Sequence, residues 1–401
     1  MVSESRAEHA LPGEEGRERG KKQVLMLILG CILAGYVIGR AILPLRLHWG
    51  WKIGLAVPVL LTAFKFHVLH WFGGPRFFAP ELPVALLLTA AWLFTLLFLF
   101  FFLLLAADLV RGGILIVLLC RGRKPSPCFR VVGNRVNLGL LLAAGVLAAV
   151  GIGAGTAVPE VRHVTIRIPD LPEEADGMTI ALLADIHADT LTRADRIREM
   201  VARTNAAKPD LIVLAGDLVD GTVEGSGAEL LPLRELSAPY GVFGVPGNHE
   251  YYSGYGQWMP FLETLGIELL LNAHRVLPNQ VVLAGVTDSA AARFGLEGPE
   301  IGGAFAGIED GACRILVAHR PELAAEAAGQ GVDLMLSGHT HGGMIVGVDR
   351  FIAGFNAGYV SGLYRVGEMA LFITNGAGIW NGFPVRIGVP SEIALIHLVR
   401  N

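Results

Sequence analysis

Four apolar stretches, near residues 23–44, 52–72, 83–105 and 138–157, constrain this chain more than any other feature. Each is long enough to cross a hydrocarbon core, which takes roughly 20 helical residues. The 401 residues are 53% hydrophobic and only 17% charged, and the apolar excess lies before residue 158; an ordinary soluble protein has about a quarter of its residues charged. The expectation is a polar tail without a fixed fold at 1–22, which carries five basic and five acidic side chains. A transmembrane region of about four helices at 23–157 and a soluble domain at 158–401 follow. The first stretch is not a cleavable signal peptide, because further spans follow it and no small-residue cleavage site is evident. The third stays apolar to Cys120 but is interrupted by Asp108 and Arg111. Residues 106–120 therefore read as that helix running into the interface, since Ile114–Cys120 is too short to cross alone. Lys65, His67 and His70 end the second stretch, where snorkelling toward the headgroups accounts for them. The other stretches hold almost no ionisable partners, which disfavours a transporter.

Lys and Arg are uneven among the short loops, and such residues mark cytoplasmic loops. Arg121, Arg123, Lys124, Arg130 and Arg135 lie at 121–135, and Arg40, Arg46 and Lys52 flank the first loop, whereas the loop near 73–82 has only Arg76. Loops one and three then face the cytoplasm, and four spans place the soluble domain outside it, in an integral, multi-pass protein of the cell membrane. The basic residues at 17–22 pull the other way, and the two signals agree only if 83–120 crosses twice. A net charge of −4 gives no case for nucleic acid. Of the four cysteines only Cys313 lies in the soluble half, so they neither suggest a metal site nor decide the redox compartment.

From about residue 160 short apolar runs alternate with helical segments. The pattern predicts strands at Met178–Ala184, Leu211–Ala215, Gly241–Val245, Val281–Val286, Arg314–Ala318, Leu334–Ser337, Ala370–Thr374 and Ile393–Leu398, and helices near 192–206, 228–237, 256–265 and 321–328. This is an α/β domain with largely buried strands. Ligands of such sheets gather beyond the carboxyl ends of the strands, and here strand after strand ends on metal-ligating residue types. Asp185-Ile186-His187 follows the first strand, Gly216-Asp217-Leu218-Val219-Asp220 the second, and Gly247-Asn248-His249-Glu250 the third. His319 follows the run at 314–318, and Gly338-His339-Thr340-His341-Gly342-Gly343 follows the next. A lone His or Asp-x-His at a strand end is most often a satisfied surface or core group. Five such clusters in order are not explained by packing. His163, His274 and His397 have no such context and read as solvated. Glu250 and Asp220 read as supporting or capping groups rather than ligands.

The residue types suit phosphate-ester hydrolysis. That reaction needs charge neutralised on the phosphoryl oxygens and a hydroxide near neutral pH, which two divalent cations about 3.5–4 Å apart supply. Mixed imidazole and carboxylate ligands suit Mn, Fe or Zn. The glycines at 216, 247 and 338 allow tight turns beside the metals.

The ordered set Asp-x-His, Gly-Asp-x-x-Asp, Gly-Asn-His-Glu, His, Gly-His-x-His resembles the calcineurin-like metallophosphoesterase superfamily over roughly residues 175–345. Gly338–Gly343, Gly362-Leu363-Tyr364 and Pro384-Val385-Arg386 look like its membrane-anchored bacterial branch. The resemblance implies a four-layer αββα sandwich with a dinuclear centre. Carried over by motif, Asp185, His187 and His341 would bind the first metal, Asp217 would bridge both, and Asn248, His319 and His339 would complete the second. His249 would lie over the phosphoryl group, and hydrolysis would proceed by two-metal hydroxide attack. Asp220-Gly221 replaces the Asp-Arg-Gly of protein serine/threonine phosphatases, which argues against a phosphoprotein substrate. Met344 stands where relatives often carry a polar residue. Phosphate esters near the membrane, lipid-linked or of the cell envelope, are the natural substrates. A nuclease lacks a basic stripe with interleaved aromatics, and a non-catalytic scaffold or receptor would have lost a motif residue, yet all eight are present.

A reporter fused after Asn401 tests the expected sidedness. A reporter active only outside the cytoplasm should give signal, and a cytoplasm-only fluorescent one should stay dark. The reverse pattern would place the domain inside.

Overall fold

The computed structural model describes residues 12–73, 80–126, 128–309 and 311–400, and divides into two units, 13–153 and 154–401. The first unit is helical. Helix α1 (Pro12–Val37) continues into a π-helical turn at Ile38–Ile42. It starts within the polar segment expected to lack a fixed fold; residues 1–11 of that segment, and Arg76, lie outside the described residues. Helices α2 (Trp49–Ala63), α3 (Lys65–Phe72), α4 (Val84–Cys120) and α5 (Cys128–Thr156) follow. Among the described residues three helical stretches are long and apolar enough to cross a membrane, at Gln23–Ile42, Val84–Cys120 and Val132–Thr156, and a fourth if the bent pair α2 and α3 counts as one span.

Two expectations change here. The second apolar stretch is not one straight span: α2 and α3 meet at 73°, at Phe64, whose backbone leaves the helical region. Lys65, expected to snorkel, is instead buried, with its ammonium 4.7 Å from the rings of both Phe66 and Phe94. The ionisable groups also find partners that the sequence did not suggest. Asp108 on α4 accepts from Arg40 at 2.6 Å, from Tyr36 at 2.8 Å and from Arg111 at 2.9 Å, while Arg111 also donates to Gly133 O and Asn137.

These contacts fix which helix ends are level. His67 lies 3.2 Å from Gln23 O, and Lys52 donates to Leu43 O at 2.7 Å, so the bent pair runs from the level of residue 43 back to that of residue 23. Helix α4 is a single continuous helix of 37 residues, so 83–120 does not cross twice. At 1.5 Å per residue it is about 55 Å long, well beyond a hydrocarbon core of about 30 Å.

The second unit contains two six-stranded sheets. Strands β1 (Glu160–Ile168), β2 (Thr179–Leu183), β3 (Leu211–Ala215), β4 (Val242–Val245), β5 (Glu268–Leu269) and β12 (Glu392–Arg400) form the first, in the order β1-β12-β2-β3-β4-β5. Strands β6 (Ala273–Val276), β7 (Val282–Gly285), β8 (Arg314–Val317), β9 (Leu334–Ser337), β10 (Gly362–Val366) and β11 (Met369–Ile373) form the second, in the order β10-β11-β9-β8-β7-β6. Within each sheet the central strands are parallel, β2-β3-β4 in one and β7-β8-β9-β11 in the other.

Side chains alternate between two buried faces, which is why the strands read as continuous apolar runs. Ile180, Leu182 and Val213 from the first sheet meet Leu283, Ile315, Leu336 and Phe372 from the second in one core between the sheets. Ala181, Leu183, Ile212 and Leu214 face the other way, against helices α6 (Ala194–Ala206), α7 (Val223–Leu230) and α8 (Asn248–Glu263). Leu316, Met335 and Leu371 do the same on the second sheet, against α9 (Ile301–Ala304) and α10 (Ala324–Gly329). The result is the expected αββα sandwich. A short helix, α11 (Asp349–Ala353), lies in the loop after β9.

Candidate metal centre

The expected site residues all follow the carboxyl ends of parallel strands. Asp185 and His187 follow β2, Asp217 follows β3 and Asn248 opens α8 after β4. From the other sheet, His319 follows β8, and His339 and His341 follow β9. The packed sheets bring these ends together. Asp185, His187 and His341 offer ligand atoms within 4.8 Å of one another, and so do Asp217, His319 and His339. His187, Asp217 and His249 form a third such group that links the two.

The backbone at these turns is unusual. Asp185, His187, Asp217, His339, His341 and Met344 all have φ between 49° and 73°. In this left-handed region a non-glycine residue costs about 1–2 kcal/mol, and such strain gathers at functional sites. The glycines serve close approach. A Cβ on Gly216 would lie 2.5 Å from Gly247 N, and one on Gly338 would lie 2.6 Å from the Ala184 Cβ.

Hydrogen bonds set the ring orientations. His319 Nδ1 donates to Ala215 O at 2.8 Å, leaving Nε2 to face Asp217 Oδ2 at 3.1 Å and His339 Nδ1 at 3.2 Å. His187 Nδ1 faces Asp220 Oδ2 at 3.0 Å, so its Nε2 faces His341 Nε2 at 3.1 Å. A histidine held from behind by a carboxylate or carbonyl is the usual arrangement of a metal ligand. Asp220 also pairs with His249 Nδ1, and His249 Nε2 lies 4.0 Å from Asp217 Oδ2. Glu250 accepts from the backbone N–H groups of Asp217, Leu218 and Gly247 at 3.0, 2.6 and 2.7 Å. Asp220 and Glu250 thus support the site, as their positions in the motifs suggested.

Burial disfavours the charged form of Asp217, but His319, His249 and His187 outweigh it and hold its carboxyl well below the usual range. Burial likewise opposes protonation of His319, which Asp217 nevertheless raises to about 10. Burial first, and then the neighbouring cations, keep His339 and His341 neutral. Carboxylates and the neutral imidazoles of His339 and His341 thus lie together, and the protons that, against burial, Asp217 and Asp220 draw onto His319 and His187 are the ones a divalent cation would displace.

Residues 178–343 match the family of calcineurin-like phosphoesterases. A Helicobacter pylori metallophosphoesterase is 34% identical over 268 residues, covering 66% of this chain and 71% of that protein. A zebrafish transmembrane protein with a metallophosphoesterase domain is 32% identical over 293 residues, covering 70% of this chain and 67% of that one. A Campylobacter jejuni metallophosphoesterase is 30% identical over 296 residues, 73% of this chain and 76% of its own length.

The chain belongs to the calcineurin-like metallophosphoesterases.

It is accordingly a hydrolase of phosphate esters with a divalent-metal site of the dinuclear type. Its relatives are not confined to bacteria, since the zebrafish protein is among them. The residues of this metallophosphoesterase fit the metal. Among the described residues the buried Asn248 Oδ1 has no hydrogen-bond partner, as expected of an atom kept for an ion.

Some supporting residues escaped the sequence reading. Arg386 is fully buried and donates to the carbonyls of His341, Asn375 and Gly378 at 3.2, 2.7 and 3.0 Å, beneath the histidine loop. The only sequence signal was its place in Pro384-Val385-Arg386. Of the three histidines expected to be solvated, His163 is exposed, while His274 and His397 are half-buried; His163 and His397 stack with ring nitrogens 2.9 Å apart, and His274 bonds Ala304 O at 2.7 Å.

Glu250→Gln should weaken metal binding about 10–100-fold, the usual effect of losing a group behind the ligands, because an amide cannot accept from all three N–H groups. A titration with Mn2+ reads this. Unchanged affinity would show that the turns at Gly216 and Gly247 hold without the carboxylate.

Proposed function

We propose that this metallophosphoesterase hydrolyses phosphate esters at a membrane surface with two divalent ions, Mn, Fe or Zn. Asp185, His187 and His341 would hold one, Asn248, His319 and His339 the other, and Asp217 both. The observation that carries the reading is that Asp185, His187 and His341 form one ligand group and Asp217, His319 and His339 another, linked by a third group in which His187 and Asp217 also offer atoms within 4.8 Å of each other. Ions bound there would neutralise the phosphoryl oxygens and acidify a coordinated water.

The chain's own residues supply the rest. Asp217 Oδ1 accepts the His249 N–H at 2.8 Å, so the first turn of α8 orients the bridging carboxylate and aims a positive helix end at the site. His249 is not needed as a ligand. Held at Nδ1 by Asp220, it keeps Nε2 toward the centre, where it can stabilise phosphoryl charge or protonate the leaving oxygen.

Membrane proximity follows from the apolar helices. The matches to the Helicobacter and zebrafish proteins are longer than the whole stretch 158–401, so the likeness enters the helical unit. Sidedness has support in the helix levels. Arg40, Lys52 and Arg111 fall at one level, next to the basic stretch beginning at Arg121, and Gln23 falls at the other. The greater basic excess favours the first as the cytoplasmic side, which puts residue 158 onward outside.

Elemental analysis and turnover test this reading together. Wild type should hold about two ions per chain and cleave a model phosphomonoester or phosphodiester. Asp217→Asn should abolish turnover and lower occupancy of both sites. His249→Ala should keep its metals and lose about 10²–10⁴-fold in rate. A site emptied by His249→Ala would make that histidine a ligand, and one ion per chain at full activity would exclude the dinuclear mechanism.

A further inference from the structure

Beside the histidine loop the catalytic unit contains a cleft of about 730 Å³, within the range of small-molecule sites. Its lining joins two stretches far apart in sequence. Ala154, Ala157 and Val158 come from the end of α5 and just beyond it, and Gly342, Val346 and Val360 come from the loop after β9. Gly342 is the residue next to His341, so one lining residue of the cleft neighbours a proposed ligand along the chain, although no ligand itself lines the cleft.

The same loop exposes apolar side chains that nothing in the unit covers. Val346 is 69% exposed, Phe351 67% and Phe355 71%, and the two phenylalanine rings are 5.1 Å apart. Scattered exposed apolar residues are ordinary, but a cluster beside a cleft marks a binding surface.

Chain continuity identifies what this surface meets. Thr156 ends Val132–Thr156, one of the stretches apolar enough to cross a membrane. Val158, two residues on, can be no more than about 7 Å from it. The intervening segment is held firmly: Arg196 is buried and donates to Gly155 O at 3.0 Å and Ala157 O at 2.9 Å, and Arg203 donates to Pro159 O at 3.2 Å. The part of the cleft lining formed by Ala154, Ala157 and Val158 is therefore continuous in the chain with that apolar stretch.

We propose that this cleft takes the acyl chain of a lipid phosphate ester whose phosphate enters the metal centre, with Val346, Phe351 and Phe355 seated among the lipids around it. The proposal rests on the phosphoesterase reading above and names its substrate class. The cleft is mixed, with Glu160, Arg162, Asn375 and Glu392 lining it beside the apolar residues, but a membrane-anchored enzyme acting on soluble esters would need no exposed apolar rim.

The test compares butyl and decyl phosphates, each offered as the monoester and as the 4-nitrophenyl diester, with the full chain in one detergent and Mn2+ present. The decyl ester should have the higher kcat/KM by about tenfold or more, the gain from burying roughly two methylenes. Val346→Arg and Ala157→Phe, which charge the rim and fill the cleft, should remove that preference by lowering decyl kcat/KM to the butyl value of the same variant. Partitioning of the decyl ester into micelles is the same for all three proteins, so it cannot produce the difference. Butyl turnover with no chain-length preference, or a preference that survives both variants, would overturn the acyl cleft alone. No turnover of any ester by the metal-loaded wild type would overturn the phosphoesterase reading beneath it.

Discussion

The centre exists only where two sheets meet. Asp185, His187, Asp217 and Asn248 follow strands of one sheet, and His319, His339 and His341 follow strands of the other. Neither sheet alone completes either ligand group. The apolar contact of Leu182 and Val213 with Leu283 and Leu336 is therefore also what assembles the chemistry. Cross-sheet bonds then set the register. His339 N lies 3.1 Å from both Asp185 oxygens, and His319 Nδ1 reaches Ala215 O at 2.8 Å. A shift of one sheet against the other would break both.

Packing of this precision concentrates charge that folding alone would avoid. Asp185, Asp217, Asp220 and Glu250 are all buried within a few residues of strand ends. Burial drives the Glu250 carboxyl up to about 7, and nearby Asp217 adds to it. Left-handed backbone at so many adjoining positions adds a conformational cost. Interactions that favour folding in the two large cores must offset both, and metal binding to the native state adds stability by mass action.

The sequence made the site more legible than the chain that surrounds it. Motif spacing placed Asp185, His187, Asp217, Asn248, His249, His319, His339 and His341 in one locus, because each follows a strand whose apolar run is easy to see. Strands β1, β5, β6 and β10 were missed. Tyr364 and Arg365 in β10, and Arg162 and His163 in β1, break the apolar pattern of strands at sheet edges. Helix α8 starts at Asn248 rather than near 256, since Gly254 at φ 107° obscures the helical signal. The bend at Phe64 and the Arg40–Asp108–Arg111 cluster depend on pairings between distant helices, which local hydropathy does not encode. Arg386 was hidden for the same reason: its partners lie in loops that only the folded chain brings together.

The account turns on Asp217 serving two ions at once. Electron paramagnetic resonance of the full chain saturated with Mn2+ tests that most directly. A carboxylate shared between ions about 3.5–4 Å apart predicts a broad, exchange-coupled spectrum that is lost in Asp217→Asn. The six-line spectrum of isolated Mn2+ at saturation would contradict it.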